Sequence, residues 1–456
     1  MQSPSKEYIF EKMPIPKAVA KLAVPTIMSM LVTIAYNLAD IFFVGQLNDS
    51  VQVAAVTISM PVFMVLMAIG NIFGIGSASY ISRLLGVKEY TSVKQTSSFS
   101  FYTCLIVGLL TMAAGIPTLD YIVRLIGAND ASFSYAYDYL LIILIGAPFI
   151  MLSFSLSQII RAQGAAKESM IGMMIGTVLN IVLDPIMILN MGMGVTGAAL
   201  ASIISNAVSV LYYIFYLIKK SEFLSISLKY YKLSANMISN ILKIGAPASL
   251  TNLLMSISSI LLNNYAVLYG NNVVAALGIV NRIHMLPALV LMGLAQGVAP
   301  IVGYNYSAGN MKRMQGTVKF TAITALILGS LLTLMLFFAG EYAIQLFIDD
   351  SSVIKLGATF LRIMISSVPF LSVLFLLNST FQAFGKGIPS LLLSVSRQGF
   401  VFIPLLILGN RFFEMYGIVF AQPIADIFSA VMSVIMGITI FKKESAKYNE
   451  AAQKDT

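Results

Sequence analysis

Lys21-Leu-Ala-Val-Pro25 opens a long apolar run near the start of the chain, and Lys243-Ile-Gly-Ala-Pro247 opens another at an offset near 221 residues. The same offset returns Val53-Ala-Ala-Val56 as Val274-Ala-Ala-Leu277, Gly76 as Gly297, Gln163-Gly164 as Phe384-Gly385, and Gly197-Ala-Ala-Leu-Ala201 as Gly417-Ile-Val-Phe-Ala421. Each match is weak alone, because small residues are frequent in membrane helices. Their common offset, drifting only between about 220 and 223, makes the chain two related halves.

The halves are built for lipid. Of 456 residues, 58% are hydrophobic and 10% charged, with a mean hydropathy of +0.88, whereas a soluble domain carries about 25% charged residues. A membrane span needs about 20 apolar residues, and the apolar runs number twelve, six per half. An all-α polytopic membrane protein follows: a cytoplasmic tail over residues 1–17, an N-lobe over 18–218, a basic linker over 219–240, a C-lobe over 241–441 and a second tail over 442–456. The first run follows Lys6, Lys12, Lys17 and Lys21 as a signal peptide would. It is too long, however, and lacks a small-residue cleavage pattern, so it reads as a retained helix. Cys104 is the one cysteine, which excludes a disulfide scaffold.

Lys and Arg total 28, and they sort by loop. The tails, the linker and alternate loops hold most of them, while Arg124, Lys355 and Arg411 fall on the opposite side and Arg282, Arg362 and Arg397 fall inside spans. Basic residues near span ends stay cytoplasmic, so both termini are expected there. The net charge of +9 is largely this bias, and nucleic-acid binding, which needs a clustered basic face, is not expected. Because each half has an even number of spans, the two are expected to be related by a pseudo-two-fold axis along the membrane normal, the parallel repeat of secondary transporters.

A carboxylate at a helix centre costs roughly 2.5–3.5 kcal/mol in lipid, so intramembrane acids are functional candidates. Three stand out: Asp40 in the first span, Asp184 in the fifth and Asp426 in the twelfth. Asn37 lies three residues before Asp40, and Asn180 four before Asp184, so each pair shares a helical face. Together they offer hard oxygens suited to a proton or Na+. The alternative is that both acids lie near span ends and are simply solvated. If they share a cavity, mutual repulsion and poor solvation raise at least one pKa. At the repeat offset Asp40 falls on Leu261 and Asp184 on Leu405, so the acidic set belongs to the first half. Asp426 falls opposite Asn206 and reads as a paired or cavity-facing residue; His284, close to Arg282, reads as a proton relay or a structural hydrogen-bonding residue. Gly192-Met-Gly194-Val-Thr-Gly197 has the spacing of a dinucleotide loop but no preceding strand, and is read as a hairpin turn. No phosphate-binding loop, nucleophile elbow or His/Cys cluster is present in the sequence. Neither an enzyme nor a cofactor is expected. The 26 Met and the 28 Phe and 21 Tyr suit an adaptable pocket.

Over nearly its whole length the sequence resembles the multidrug and toxic compound extrusion (MATE) transporters, in particular their MepA-like bacterial branch. The resemblance rests on Pro25 with Asn37-Leu-Ala-Asp40-Ile-Phe-Phe-Val-Gly45, Gly74-Ile-Gly-Ser-Ala-Ser-Tyr-Ile-Ser-Arg83-Leu-Leu-Gly86, Arg161-Ala-Gln-Gly164, Asn180-Ile-Val-Leu-Asp184-Pro185 and Gly197-Ala-Ala-Leu-Ala-Ser202. It implies a V-shaped pair of six-helix lobes in a bacterial cell membrane, exporting amphipathic, often cationic small molecules in exchange for H+ or Na+. It also implies an N-lobe cation site, Na+ included, at Asp40, Asn180 and Asp184, with a hydroxyl at Ser202 where a Thr is common. A monomer is expected. NorM-type members carry acids in the seventh and tenth helices and this chain has none there, so that second site is not expected. The rival implied by the same superfamily is a lipid-linked glycan flippase, which would favour a strongly charged cavity; the three intramembrane bases show no clustering in the sequence.

Overall fold

The computed structural model describes the backbone of residues 6–47 and 49–454, and the side chains of these except 37, 38, 40, 41, 449 and 451–454. Among the described residues the elements are helices: α1 (Lys6–Glu11), α2 (Ile15–Gly45), α3 (Ser50–Gly86), α4 (Tyr90–Gly115), α5 (Leu119–Leu125), α6 (Asp130–Ile145), α7 (Ala147–Ala162), α8 (Ala166–Asp184), α9 (Gly194–Lys219), α10 (Ala235–Val267), α11 (Asn271–Ser307), α12 (Met311–Gln345), α13 (Ser351–Ile365), α14 (Val368–Ala383), α15 (Gly387–Val395) and α16 (Phe402–Lys454). Short π-helical turns follow α8 (Pro185–Asn190) and α15 (Ser396–Phe400).

Nine stretches among the described residues are long and apolar enough to cross a membrane, and the bent pairs α6–α7 and α13–α14 form two more. The last stretch, Gly387–Tyr448, is 62 residues long and breaks at Glu414, whose φ of 50° and ψ of −132° are not helical. Counted as two spans, it brings the total to the expected twelve. The fourth and tenth spans bend by 54° and 43°. Pro148 and Pro369 lie in the first turns of α7 and α14, at matching places in the repeat. Proline has no N–H to give the preceding turn and its ring crowds the carbonyl four residues back, so a new helix starts at an angle.

The chain folds as two compact units: residues 28–249, and residues 1–27 with 250–456. The boundaries lie inside α2 and α10, just after Pro25 and Pro247. The first half of α2 packs with the second repeat, where Gly293 and Gly297 of α11 let its backbone approach; a Cβ on Gly297 would lie 2.6 Å from Ala23 Cα. The first half of α10 packs with the first repeat in the same way, Gly76 facing Ile241 and Gly245 facing Ile72. The repeat landmarks Gly76 and Gly297 are therefore close-approach positions, where a side chain would hold the helices apart.

The 28–249 unit also straps down the basic linker. Ser97 Oγ and Ser98 Oγ donate to the carbonyls of Ser225 and Ser227, each at 2.8 Å, and Tyr102 OH donates to Ile226 O at 2.8 Å. In the other unit, Arg313 donates to Ile9 O, Phe10 O and Met13 O at 3.2, 2.5 and 2.6 Å. These are carbonyls at and just beyond the end of α1 that have no partner further along the helix, and Phe10 stacks on Tyr304 with ring centroids 4.9 Å apart.

Candidate functional site

Asn180 and Asp184 lie one turn apart at the end of α8 and are both fully buried. Asn180 Nδ2 donates to Asp184 Oδ1 at 3.1 Å, while Asn180 Oδ1 accepts no hydrogen bond among the described residues. An acceptor left in this way costs about 1–3 kcal/mol unless something satisfies it. The α-helix stops at Asp184 because Pro185 follows. The chain relaxes into a π-helical turn, with Met191 N–H donating to Ile186 O at 2.8 Å, before Gly192 turns it at φ 65° into α9. That is the turn expected from the glycine pattern.

α9 packs closely on α8 because α8 presents Gly172 and Gly176, where a Cβ would strike Tyr213 and Ser209. The packing brings up Ser202, which is buried and shares a hydrogen bond of 2.9 Å with Tyr36 of α2. Asn206 Nδ2 donates to Ser202 O at 2.8 Å, and Asn206 Oδ1 accepts from Ser153 Oγ at 2.6 Å. Between these helices lies a cavity of about 120 Å³ bordered by Tyr36, Phe154, Met173, Thr177, Asn206 and Tyr213. At a water's share of roughly 30 Å³, this is space for a few waters or a hydrated ion. It is well below the ~300 Å³ at which drug-sized pockets begin. The cavity meets α8 at its middle turns, Met173, Gly176 and Thr177, about one helical turn before Asn180 and two before Asp184. The side chains of Asp40 and Asn37 lie outside the described residues; both positions fall in α2, as Tyr36 does.

The other unit holds a second polar cluster. Arg397, in the π-helical turn after α15, places Nε 2.7 Å from Asp426 Oδ1 of α16. Gln422 Nε2 donates to the same oxygen at 2.8 Å, and Ser367 Oγ donates to Oδ2 at 3.0 Å. The Arg397 guanidinium lies over the Phe375 ring, 5.2 Å from its centroid. His284 is buried within electrostatic range of both charges, and its Nε2 has no hydrogen-bond partner among the described residues. Arg282, two residues away, is exposed. Sequence reasoning singles out Asp426 and His284 but misses the partner of Asp426, since Arg397 reads there only as one more base inside a span. Tyr36, Ser153 and the cavity escape it too, because they depend on helices distant in the chain. The repeat offset carries one unused signal, for it sets Arg397 opposite a glycine, Gly176.

The described residues thus form a helical protein of two units, with apolar helices long enough to cross a membrane and a buried polar cluster in each unit. The sequence pattern of the MatE family matches residues 25–186 and again 247–408. The multidrug export protein MepA of Staphylococcus aureus (strain MRSA252) is 35% identical over 429 residues, covering 94% of this chain and 95% of that protein. MepA of Staphylococcus saprophyticus matches with the same identity and coverage. Among solved structures, the outward-facing conformation of a multidrug resistance MATE family transporter of the MOP superfamily superposes with a TM-score of 0.92 at 26% identity, covering 98% of this chain and 100% of that one. The chain belongs to the MatE family of membrane transporters.

Proposed function

We propose that this protein is a secondary multidrug efflux antiporter of a bacterial plasma membrane, with both termini cytoplasmic. It exports amphipathic, often cationic compounds in exchange for H+ or Na+. The observation that carries this reading is the fully buried Asn180–Asp184 pair of α8, a helix whose middle turns also line a small, largely apolar cavity in the 28–249 unit. A buried carboxylate and an amide oxygen with room for an ion are what a cation needs when it leaves water. Asp40 and Asn37 complete the set from α2, and Ser202 contributes its hydroxyl from α9. The likeness to proteins called multidrug export proteins supports the drug-export half of the reading over a glycan flippase.

In this mechanism the coupling ion acts through differential affinity for two states, since an ion that binds both equally shifts nothing. Binding of one monovalent cation at the site of Asp184 and Asp40 cancels one of its two negative charges. That changes the bending of α2, whose two parts belong to different units and which carries Pro25 between the tail and the acid. Alternating access follows from that bend. A proton entering down a tenfold concentration ratio supplies about 1.4 kcal/mol, enough to sustain about a tenfold ratio of the exported compound; the membrane potential, about 2.3 kcal/mol per charge per 100 mV, adds drive only when more charge enters than leaves. The test is ethidium transport in proteoliposomes under an H+ gradient or a Na+ gradient imposed separately. Drive by one of them, lost in Asp184→Asn and Asp40→Asn variants that insert normally, is the expected result. Wild-type rates in both variants would sink the site assignment.

A further inference from the structure

The repeat sets the two buried clusters against each other position by position. At an offset of about 221, Phe63 corresponds to His284, Phe154 to Phe375 and Gly176 to Arg397; in the last helices, where the landmark glycines Gly197 and Gly417 shorten the offset by one, Asn206 corresponds to Asp426. All four residues of the first set border the cavity of the 28–249 unit. All four of the second set belong to the Arg397 cluster, through the ion pair, the ring contact and the electrostatic reach of His284. The same place in the repeat is thus open space in one unit and an ion pair in the other.

We propose that Arg397 is a tethered cation. In its unit it fills permanently, with a fixed positive charge, the place that in the other is an open cavity one to two helical turns from the exchangeable-ion site, so that one unit couples to the ion gradient and its sister is held in a loaded state. The inference rests on the cation reading of Asp184 given above. Guanidinium does not deprotonate in proteins and cannot leave, because its side chain is anchored in the turn, where Gln398 O accepts from Ser258 Oγ. Asp426 already receives donors on both oxygens, so it has no need to recruit an ion. The charged groups that act on His284 and Asp426 are few. Arg362 of α13 is turned away to Glu341 in an exposed pair, α14 and α15 carry no charged residue, and Arg282 of α11 is exposed. Without Arg397, the Asp426 carboxylate would keep only the neutral donors Gln422 and Ser367 and would have no counter-charge, near an imidazole whose Nε2 has no hydrogen-bond partner among the described residues. It would have to take up a cation from solution, as Asp184 does.

Arg397→Gln is therefore expected to gain a cation site. In full-length protein reconstituted with ethidium as substrate, the number of coupling ions per ethidium rises by one, so a tenfold ion gradient sustains an ethidium ratio about tenfold higher than wild type. Arg397→Gln combined with Asp426→Asn removes the new site and returns the wild-type ratio. If Arg397→Gln reconstitutes poorly, its thermal stability in detergent is read instead: lower pH or added Na+ raises its melting temperature more than that of wild type or the double variant. An unchanged ratio with no ion-dependent stabilisation overturns the proposal and leaves a structural ion pair, as does a raised ratio that persists in the double variant. Asp184→Asn in the otherwise native chain tests the underlying cation reading by itself, so the two failures are told apart.

Discussion

The two units descend from one pattern and differ where charge is buried. The 28–249 unit buries a carboxylate with an amide, a neighbouring cavity and no basic side chain at the matching place; the other buries a carboxylate already closed by a guanidinium. The lesson lies in the size of one residue. Gly176 lets α9 approach α8 and leaves a small cavity beside them, whereas Arg397 fills the corresponding place with a long cationic side chain. Sequence similarity between the halves preserves the bundle, and the chemistry diverges at a few interior positions.

The largest effect expected from breaking this contrast is at Asp184. Asp184→Asn should reduce gradient-driven ethidium efflux by about tenfold or more while the protein still inserts, because it removes the charge change on which an intramembrane coupling site depends; a flux assay in proteoliposomes checks it. Gly176→Leu comes next, since it forces a side chain into the α8–α9 contact. Overpacking of this kind costs roughly 1–3 kcal/mol, so a lowered melting temperature is expected together with loss of transport. Transport at full strength in the Gly176→Leu variant would show that the cavity plays no part.

A smaller change sharpens the comparison without repacking. Tyr36→Phe keeps the ring and removes the hydrogen bond to Ser202, worth about 1 kcal/mol. The apparent affinity for the coupling ion should fall severalfold while melting shifts by only a few degrees. The smallest effect is at the end of the unit, where Asp49 caps α3. Gln52 holds its carboxyl below the ordinary carboxylate range, helped by the Val51 and Gln52 amides against a partial loss of solvation. Gln52 also passes the contact on to the first turn of α9 through Val195 N–H at 3.3 Å. Because the folded-state pKa is lowered, this contribution is present above the unfolded-state pKa and lost as pH falls through the folded value. Asp49→Asn should therefore lower the melting temperature slightly at neutral pH and leave it unchanged in strong acid, flattening the acid limb of a melting-temperature profile.

Some of the site could be read from spacing. Asn180 and Asp184 stand one helical turn apart in an apolar run, a local relation that a sequence states directly, and Asp426 was recognisable as a buried acid needing a partner. The partner itself was not legible: Arg397 is 29 residues away across a turn and a kinked helix. Tyr36 and Ser202 are 166 residues apart, and a chance Tyr and Ser at that separation look like any other.

The sequence by itself determined the apolar runs, the repeat and the positions of the rare interior acids. Hydropathy acts along short segments and lipid penalises each charge locally, so those properties need no knowledge of neighbours. Only the tertiary structure decided that α2 and α10 each divide between the two units, that two spans bend at Pro148 and Pro369, and that one repeat encloses a cavity where the other encloses an ion pair. Those outcomes depend on which distant helices touch, and contact between helices is set by the volume and hydrogen-bonding reach of side chains far apart in the chain.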